Sequence, residues 1–466
     1  MASNDIFEKE SVSSAIIKLA IPTIVSSLVT VIYNLADTYF VGLLNDPVQT
    51  AAVTLAAPAL LAFNAINNLF GVGTSSAMSR ALGRGDSNLV RRCSVFGLYC
   101  AFISSVLFSV FTGLFRTPLL GLLGASAKNA AATSEYMRWA VTCGAVPSIL
   151  NVVFAFLVRS EGSSLHASIG TMSGCILNII LDPIFIMPWG FNMGAAGAGL
   201  ATFLSNCVAC LYFLVLLYIK RRTTCICLNP KKFSFDRTIA ADIFGVGIPA
   251  AIQNLLNVTS MTVYNNSAAA YGSEVVAAMG IVQKIQMVPM QVTLGAVQGI
   301  MPFVGYNFAN HNYERMRKSI LYLLKRMILL MVVIVIAGSI FSGSLVGLFI
   351  KTDTVVHYGA ALLPGFLLAL PFMCVDYMCV SVFQAIGDGK KSFYLAFLRK
   401  IVLEIPALVL LNYFVPLYGM SYATLCTEVI LAVLSVKLLH KVIKLKWFYT
   451  ECWGVLKSTL PTFFSL

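Results

Sequence analysis

The chain has 466 residues, of which 58% are hydrophobic and only 11% are charged. Soluble domains carry about 25% charged residues, so this composition excludes a soluble protein and indicates a polytopic membrane protein. The formal net charge of +13 raises nucleic-acid binding as an alternative, and the placement of the charges along the chain decides between the two.

Twelve apolar stretches are each long enough to cross a hydrocarbon layer of ~30 Å as a helix. The first six lie at about residues 15–41, 52–78, 93–115, 135–157, 165–187 and 195–218, and the second six at about 240–268, 278–304, 321–348, 361–384, 395–413 and 417–440. We therefore predict an all-α polytopic membrane protein with an amino-terminal six-helix lobe (residues 1–218), a linker (219–238), a carboxyl-terminal six-helix lobe (239–442) and a tail (443–466) that resembles an interfacial helix.

The basic residues cluster on alternate loops. They follow the even-numbered stretches, as in Arg80, Arg84, Lys220, Arg221, Arg222, Arg315, Arg317, Lys390, Lys391, Lys437 and Lys441. This is the positive-inside pattern, which predicts that both termini are cytoplasmic and that the basic loops face anionic lipid rather than nucleic acid. Most of the twelve cysteines lie within apolar stretches and are interpreted as small packing residues.

The second half of the chain repeats the first. Ile21-Pro22 aligns with Ile248-Pro249, Glu161-Gly162 with Asp388-Gly389, and Ala201-Thr202 with Ala423-Thr424. Six spans return the chain to its starting side, so the halves share one orientation, and parallel repeats of this kind place a substrate path between them. The pattern predicts a secondary transporter with alternating access. The sequence has no nucleotide-binding loop and no catalytic cluster, so we predict neither ATP-driven transport nor an enzyme.

Four oxygen-bearing side chains of the amino-terminal half fall at a similar depth in the predicted bilayer. Asp37 ends the first stretch, Asn178 and Asp182 lie one helical turn apart in the fifth, and Thr202 opens the sixth. An acid within a span is costly and marks an ion, proton or substrate path. Two carboxylates with amide and hydroxyl neighbours fit a hard-cation site or a proton carrier, although Asp182-Pro183 as a simple helix break remains an alternative.

The carboxyl-terminal half offers a second polar set. Lys284 lies in the middle of the eighth stretch, where it needs a carboxylate partner, and we expect Asp376 or Glu404 to be near it. Such a pair is consistent with either a structural or a coupling role. The candidates for lining a cavity in this half are Asn257, Lys284, Met287, Gln291, Asp376 and Glu404.

Taken together, these motifs resemble the multidrug and toxic compound extrusion (MATE) family, and most closely its bacterial DNA-damage-inducible-type branch. The resemblance covers essentially the whole chain. It rests on Ile21-Pro22, Asn34-x-x-Asp37, Ser79-Arg80-Ala81-Leu82-Gly83, Asn178-x-x-x-Asp182-Pro183, Gly197-x-Gly199-x-Ala201-Thr202 and the repeat of six spans. The resemblance implies two pseudo-symmetric lobes in a V shape and a multidrug efflux antiporter of the plasma membrane that acts as a monomer.

For particular residues, the resemblance implies a coupling site for H⁺ or Na⁺ at Asp37, Asn178, Asp182 and Thr202, with any Na⁺ bound by the two acids. Tyr136, Asn151 and Asn34 would belong to the surrounding polar network. The other bacterial branch pairs a carboxylate in the seventh span with one in the tenth. Here Asn257 stands at the first of these positions while Asp376 remains, so we favour the amino lobe for coupling. Arg80 and Gly83 are expected to be structural at the cytoplasmic mouth.

The predicted function is export of drug-like, often cationic organic compounds in exchange for H⁺ or Na⁺, with no cofactor beyond the coupling ion. The residues fit either ion. A flippase for lipid-linked oligosaccharides or lipids is the alternative within the same broad superfamily. Such flippases usually have more than twelve spans and cationic cavities, whereas acids outnumber Lys284 within the predicted spans.

Overall fold

The computed structural model describes residues 5–463, with side chains described as far as residue 441. All regular structure in that part is helical, which confirms the predicted all-α class. A short helix, Asp5–Glu8, precedes the first span. The last helix runs over Gly419–Phe463, but the predicted interfacial character of residues 443–466 depends on side chains and on three final residues that lie outside the described part.

Six spans form each lobe, and they are named below by their order in the chain. Those of the amino lobe are Val12–Gly42, Pro47–Gly83, Ser87–Leu114, the bent pair Ala130–Cys143 and Ala145–Ser160, Ser164–Ile186, and Ala195–Ile219. Those of the carboxyl lobe are Arg237–Ala269, Ser273–Ala309, Tyr313–Ile340, the bent pair Asp353–Leu368 and Leu370–Ala385, the eleventh span described next, and the helix that begins at Gly419.

The eleventh span is more polar than the others. It consists of Gly389–Phe397, a π-helical turn at Leu398–Glu404, and Ile405–Phe414. Among the described residues, nine helices and two bent pairs are apolar enough to count as spans by length and composition. The eleventh span falls outside that count because its middle carries three charged residues, Arg399, Lys400 and Glu404.

Several spans begin at an acidic or amide cap, which satisfies free backbone N–H groups at the helix start. Asp86 caps the third span, Asp236 the seventh, Asn312 the ninth and Asp388 the eleventh. Hydrogen bonds from Thr238 and Arg92 hold the pKa of Asp236 below its ordinary value. These caps lie on the face of the bundle that also carries residues 5–11 and the linker, which is called the terminal face below.

The two lobes meet at the terminal face through glycines. A Cβ atom added at any of these glycines would lie within 3.0 Å of backbone atoms in the other lobe, which shows how closely the helices approach. The pairs are Gly73 with Ile243, Gly247 with Leu69, Gly83 with Tyr306, Gly295 with Thr23, and Gly299 with Leu19. We call these contacts the seal. The first span packs there on the eighth, and the second on the seventh.

Arg80 reinforces the seal with polar contacts. Its side chain is buried and donates to Asp242 Oδ1 of the seventh span at 2.5 Å and to the carbonyl of Ala385 in the tenth at 3.3 Å. Ser76, one turn earlier, donates to the carbonyl of Gln384. The second span is thereby tied to two spans of the other lobe, in agreement with the structural role expected for Arg80.

The amino-terminal helix covers the seal from outside. Phe7 is 1% exposed and stacks on Tyr306 with ring centroids 4.8 Å apart. Tyr306 donates to Glu8, and Arg315 Nε donates to the carbonyl of Phe7 at 2.7 Å. Residues 5–10 are therefore held by the carboxyl lobe, although they precede the first span of the amino lobe.

The structure corrects one detail of the repeat. The helices Ala145–Ser160 and Leu370–Ala385 have 16 residues each, which places residue 145 on 370 and residue 160 on 385. The following turns contain Gly162 and Gly387, both with positive φ, at 82° and 86°. Glu161-Gly162 therefore aligns with Ile386-Gly387 and not with Asp388-Gly389, because the left-handed turn conformation, rather than the acid-glycine pair, is the repeated feature.

Candidate functional site

The four residues predicted to form a site in the amino lobe lie together, since Asn178 and Thr202 are hydrogen-bonded and Asp37 lies within electrostatic range of Asp182. We call Asp37, Asn178, Asp182 and Thr202 the amino-lobe cluster. Asn178 and Asp182 are buried on one face of the fifth span, since they are one helical turn apart. The Asn178 amide donates to Thr202 Oγ1 at 3.3 Å. With the amide rotated, it donates to Asp182 Oδ2 at 2.9 Å and accepts from the Thr202 backbone N at 3.1 Å, which satisfies both of its groups.

Both acids of the amino-lobe cluster have an oxygen without a hydrogen-bond donor. Asp37 Oδ1 and Asp182 Oδ1 are buried and receive no hydrogen bond from any residue that the structure describes. Buried polar atoms are normally satisfied, so each such atom calls for an explanation such as an ion or a proton. Two carboxylate oxygens beside an amide and a hydroxyl form a donor set that suits a hard cation or a shared proton.

Further polar side chains surround the amino-lobe cluster. Tyr33, one turn before Asp37, lies beside Thr202, and buried Tyr136 lies within electrostatic range of both acids. Asn151 donates to Asn206 at 3.2 Å, and Asn206 donates to the carbonyl of Thr202 at 2.8 Å. The structure thus brings the predicted residues Tyr136 and Asn151 to the cluster.

Asn34 lies away from the amino-lobe cluster. Its side chain is exposed, and its only hydrogen bond with a described polar side chain is through its carbonyl, which accepts from Thr38. The expectation that Asn34 joins the polar network is therefore wrong, because the first span presents this side chain to the exterior rather than to the cluster. Tyr33 occupies the corresponding place instead.

A cavity of about 610 Å³ lies between the lobes, extending from the seal toward the opposite face. Spans seven, eight, ten, eleven and twelve supply most of its lining, and spans two and four supply the rest. The lining includes the predicted residues Asn257, Met287, Gln291 and Glu404. Neither Asp37 nor Asp182 lines this cavity, so the amino-lobe cluster is separate from it.

The carboxyl lobe contains a buried charged group, which we call the carboxyl-lobe cluster. It comprises Asp376, Arg399, Lys400, Glu404 and Glu428. Arg399 Nη2 lies 2.6 Å from Glu428 Oε1, its Nε donates to the same oxygen at 2.7 Å, and its Nη1 lies 3.5 Å from Asp376 Oδ2. Lys400 Nζ lies 2.6 Å from Glu404 Oε2. All members except Asp376 line the cavity.

Neutral groups complete this cluster. Ser260 donates to Glu404 Oε1 at 2.8 Å, Ser435 donates to Asp376 Oδ1 at 3.2 Å, and the guanidinium of Arg399 lies 4.7 Å from the ring centre of Tyr377. Glu428 Oε2 is buried and has no hydrogen-bond partner among the described residues. A residue that lines the cavity therefore carries one buried carboxylate oxygen without a hydrogen-bond partner among the described residues.

Two predictions for Lys284 were wrong: that Asp376 or Glu404 lies near it, and that it lines the cavity. Its side chain is exposed and has no carboxylate within 4.0 Å in the described part of the chain, and Asp376 and Glu404 pair with Arg399 and Lys400 instead. Arg399 and Lys400 stand near the start of the predicted eleventh stretch (395–413) and were not among the predicted site residues. The helix actually begins at Gly389, ten residues before Arg399, so both cations lie well inside it.

The two clusters occupy equivalent places in the repeat. With residue 145 placed on 370, Asn151 corresponds to Asp376, and with Thr202 placed on Thr424, Asn206 corresponds to Glu428. The amide pair of the amino lobe thus stands where the carboxyl lobe has two acids bridged by Arg399. The repeat could have identified Asn206 and Glu428 as site residues from the sequence, since each lies one helical turn after an aligned threonine.

Comparison with known proteins agrees with this architecture. A model of the MatE family matches residues 22–184 and 249–410, one copy in each lobe. The chain is 28% identical over 434 residues to the multidrug export protein MepA of Staphylococcus aureus strain MRSA252, covering 93% of this chain and 95% of that protein.

Solved structures give the same result. A structure described as the outward-facing conformation of a multidrug resistance MATE family transporter of the MOP superfamily has a TM-score of 0.90 at 27% identity, covering 95% of this chain and 98% of that one. Another, described as MATE in the bent conformation, has a TM-score of 0.88 at 27% identity, covering 96% and 98%.

Proposed function

This chain belongs to the MatE family of membrane transporters, and we propose that it exports drug-like, often cationic organic compounds across the plasma membrane in exchange for H⁺ or Na⁺. Both termini are cytoplasmic in this proposal, because the basic loops lie on the terminal face. The seal then closes the cytoplasmic side, and the cavity faces outward. Alternating access requires the seal to open while the opposite ends of the lobes approach each other.

The observation that carries the proposal is the pair of buried carboxylate oxygens at Asp37 and Asp182 that no described residue satisfies. Their separation from the substrate-sized cavity supports coupling at the amino-lobe cluster and substrate binding in the space between the lobes. The first span links the two, since it carries Asp37 and packs on the eighth span at the seal. Binding of a cation at Asp37 can therefore act on the seal through this helix.

Transport of ethidium by purified protein in proteoliposomes tests the proposal, with a pH gradient and a Na⁺ gradient imposed in separate arms. We expect transport by the wild-type protein to respond to one of the two, which also identifies the coupling ion. Asp37→Asn should lose the response, because an amide neither binds a cation as a carboxylate does nor carries a proton. Asp353→Asn, at an exposed helix start, is the matched control and should keep it.

Size-exclusion chromatography checks that each variant is folded and monodisperse. Gradient-driven transport by Asp37→Asn at the wild-type rate would refute coupling at the amino-lobe cluster. A wild-type protein that responds to neither gradient would refute cation antiport altogether.

A further inference from the structure

The carboxyl-lobe cluster has an excess of negative charge on the cavity wall. It combines the three carboxylates of Asp376, Glu404 and Glu428 with the cations Arg399 and Lys400. In the ionised state one negative charge is uncompensated. Glu428 Oε2, which has no hydrogen-bond partner among the described residues, is the oxygen at which this charge is least satisfied. An uncompensated buried charge is costly, so a cation is strongly favoured there.

The members of the cluster differ in how firmly they are held. Arg399 is 3% exposed, contacts two acids and packs on Tyr377, so its position is fixed on several sides. Lys400 is 14% exposed and, within the part of the chain whose side chains are described, forms an ion pair with Glu404 alone. A lysine ammonium on a flexible stem is more easily moved than a forked guanidinium. Lys400 is thus the exchangeable cation of the cluster.

We propose that the carboxyl-lobe cluster is the site for the charged group of an organic cation, and that Lys400 limits this site to one positive charge. The uncompensated charge at Glu428 accepts a monocation, while Lys400 occupies Glu404 and prevents a second charge from being bound. The aromatic and thioether side chains of Tyr264, Phe366, Met287 and Met290 line the same cavity and provide an adaptable apolar surface for the rest of the ligand. The inference rests on the proposed export of cationic compounds and names the part of the cavity that selects them.

Removal of Lys400 should change charge selectivity rather than affinity in general. Ethidium and propidium share one ring system but carry one and two positive charges, so the ratio of their affinities reports the charge capacity of the site. In Lys400→Met both Glu404 and Glu428 are free to bind a cation. We expect the affinity for propidium, relative to that for ethidium, to rise about tenfold, as for one hydrogen bond to a charged group.

A charge-balanced double variant separates this role from a structural one. Lys400→Met with Glu404→Gln restores a single excess negative charge, so the ratio should return to the wild-type value. Lys284→Met is the matched control, since it removes an exposed lysine from a cavity-forming span without removing a lining residue. Its ratio should stay within twofold of the wild-type ratio.

The affinities are measured by fluorescence anisotropy on purified protein in detergent, at equilibrium and without any gradient. A ratio in Lys400→Met equal to that in Lys284→Met would overturn the proposal, as would a double variant that keeps the ratio of the single one. Failure of cation coupling would appear only in the gradient-driven transport of proteoliposomes. The two proposals therefore fail in different measurements.

Discussion

Asp242→Asn should weaken the contact that holds the lobes together at the terminal face. Arg80 donates to Asp242 Oδ1 at 2.5 Å, and the substitution replaces a charged acceptor with a neutral one. Hydrogen bonds to charged groups contribute roughly 1.5–3 kcal/mol and neutral ones roughly 0.5–1.5. The Asp242 side chain is 43% exposed, so solvent screening places the loss near the lower end, at about 1 kcal/mol.

A loss of this size changes the ratio of closed to open seals about fivefold. Distances between spin labels at the opposite face report that ratio, since the open ends of the lobes approach each other when the seal opens. Labels can be attached at Ala127→Cys in the amino lobe and Thr352→Cys in the carboxyl lobe, both exposed. The background replaces the exposed and half-buried native cysteines with alanine.

Glu314→Gln is the control, since it removes the same charge from an exposed pair with Lys318 within one helix. We expect the short-distance population to rise about fivefold in Asp242→Asn and to stay constant in Glu314→Gln. Equal distance distributions in the two variants would refute the reasoning that this ion pair stabilises the seal.

Two further changes test the packing around the seal. Gly299→Ala would place a Cβ atom 2.7 Å from Leu19 O and should shift the spin-label distances toward those of the open seal. Gly280→Ala on the same span places a Cβ atom with no described atom within 4 Å, so it should leave the distances unchanged. Identical distances in the two variants would contradict the close approach at Gly299. Phe7→Ala should cost about 3 kcal/mol of docking energy for the amino-terminal helix and raise the rate of tryptic cleavage after Lys9 about a hundredfold. Phe349→Ala, which truncates an exposed ring, should not change that rate, and equally slow cleavage in both variants would show that Phe7 does not hold the helix.

The fold could be predicted because its determinants are local and repeated. Length and apolarity locate a membrane helix, and the recurrence of Ile-Pro and Ala-Thr at matching places revealed the two lobes. The amino-lobe cluster followed from depth alone, because unpaired acids and amides are rare within spans. Its lateral arrangement, including Tyr33 and Asn206, depends on helix rotation, which a single sequence does not give.

The carboxyl-lobe cluster could not be predicted in the same way. The π-helical turn at Leu398–Glu404 lies within a continuous helix that begins before the apolar stretch. The average hydrophobicity of the sequence does not reveal where this helix begins, because its first residues are polar. Arg399 and Lys400 were therefore not predicted as members of a buried site, whereas Lys284 was. Arg399 instead contacts acids on the tenth and twelfth spans, and Lys400 pairs with Glu404 within its own span, whereas Lys284 is exposed.

The glycine contacts of the seal also bear on how sequences of this kind can diverge. At the terminal face the helices touch through backbone, and a single added carbon at Gly247 would lie 2.0 Å from Leu69 O. Toward the opposite face the same spans are separated by a cavity whose walls are side chains. Mutational tolerance is thus graded along each helix: substitutions near the cavity can alter the range of compounds accepted, while the seal admits almost none. A protein built this way can acquire new substrates by drift at one end without losing its ability to close at the other.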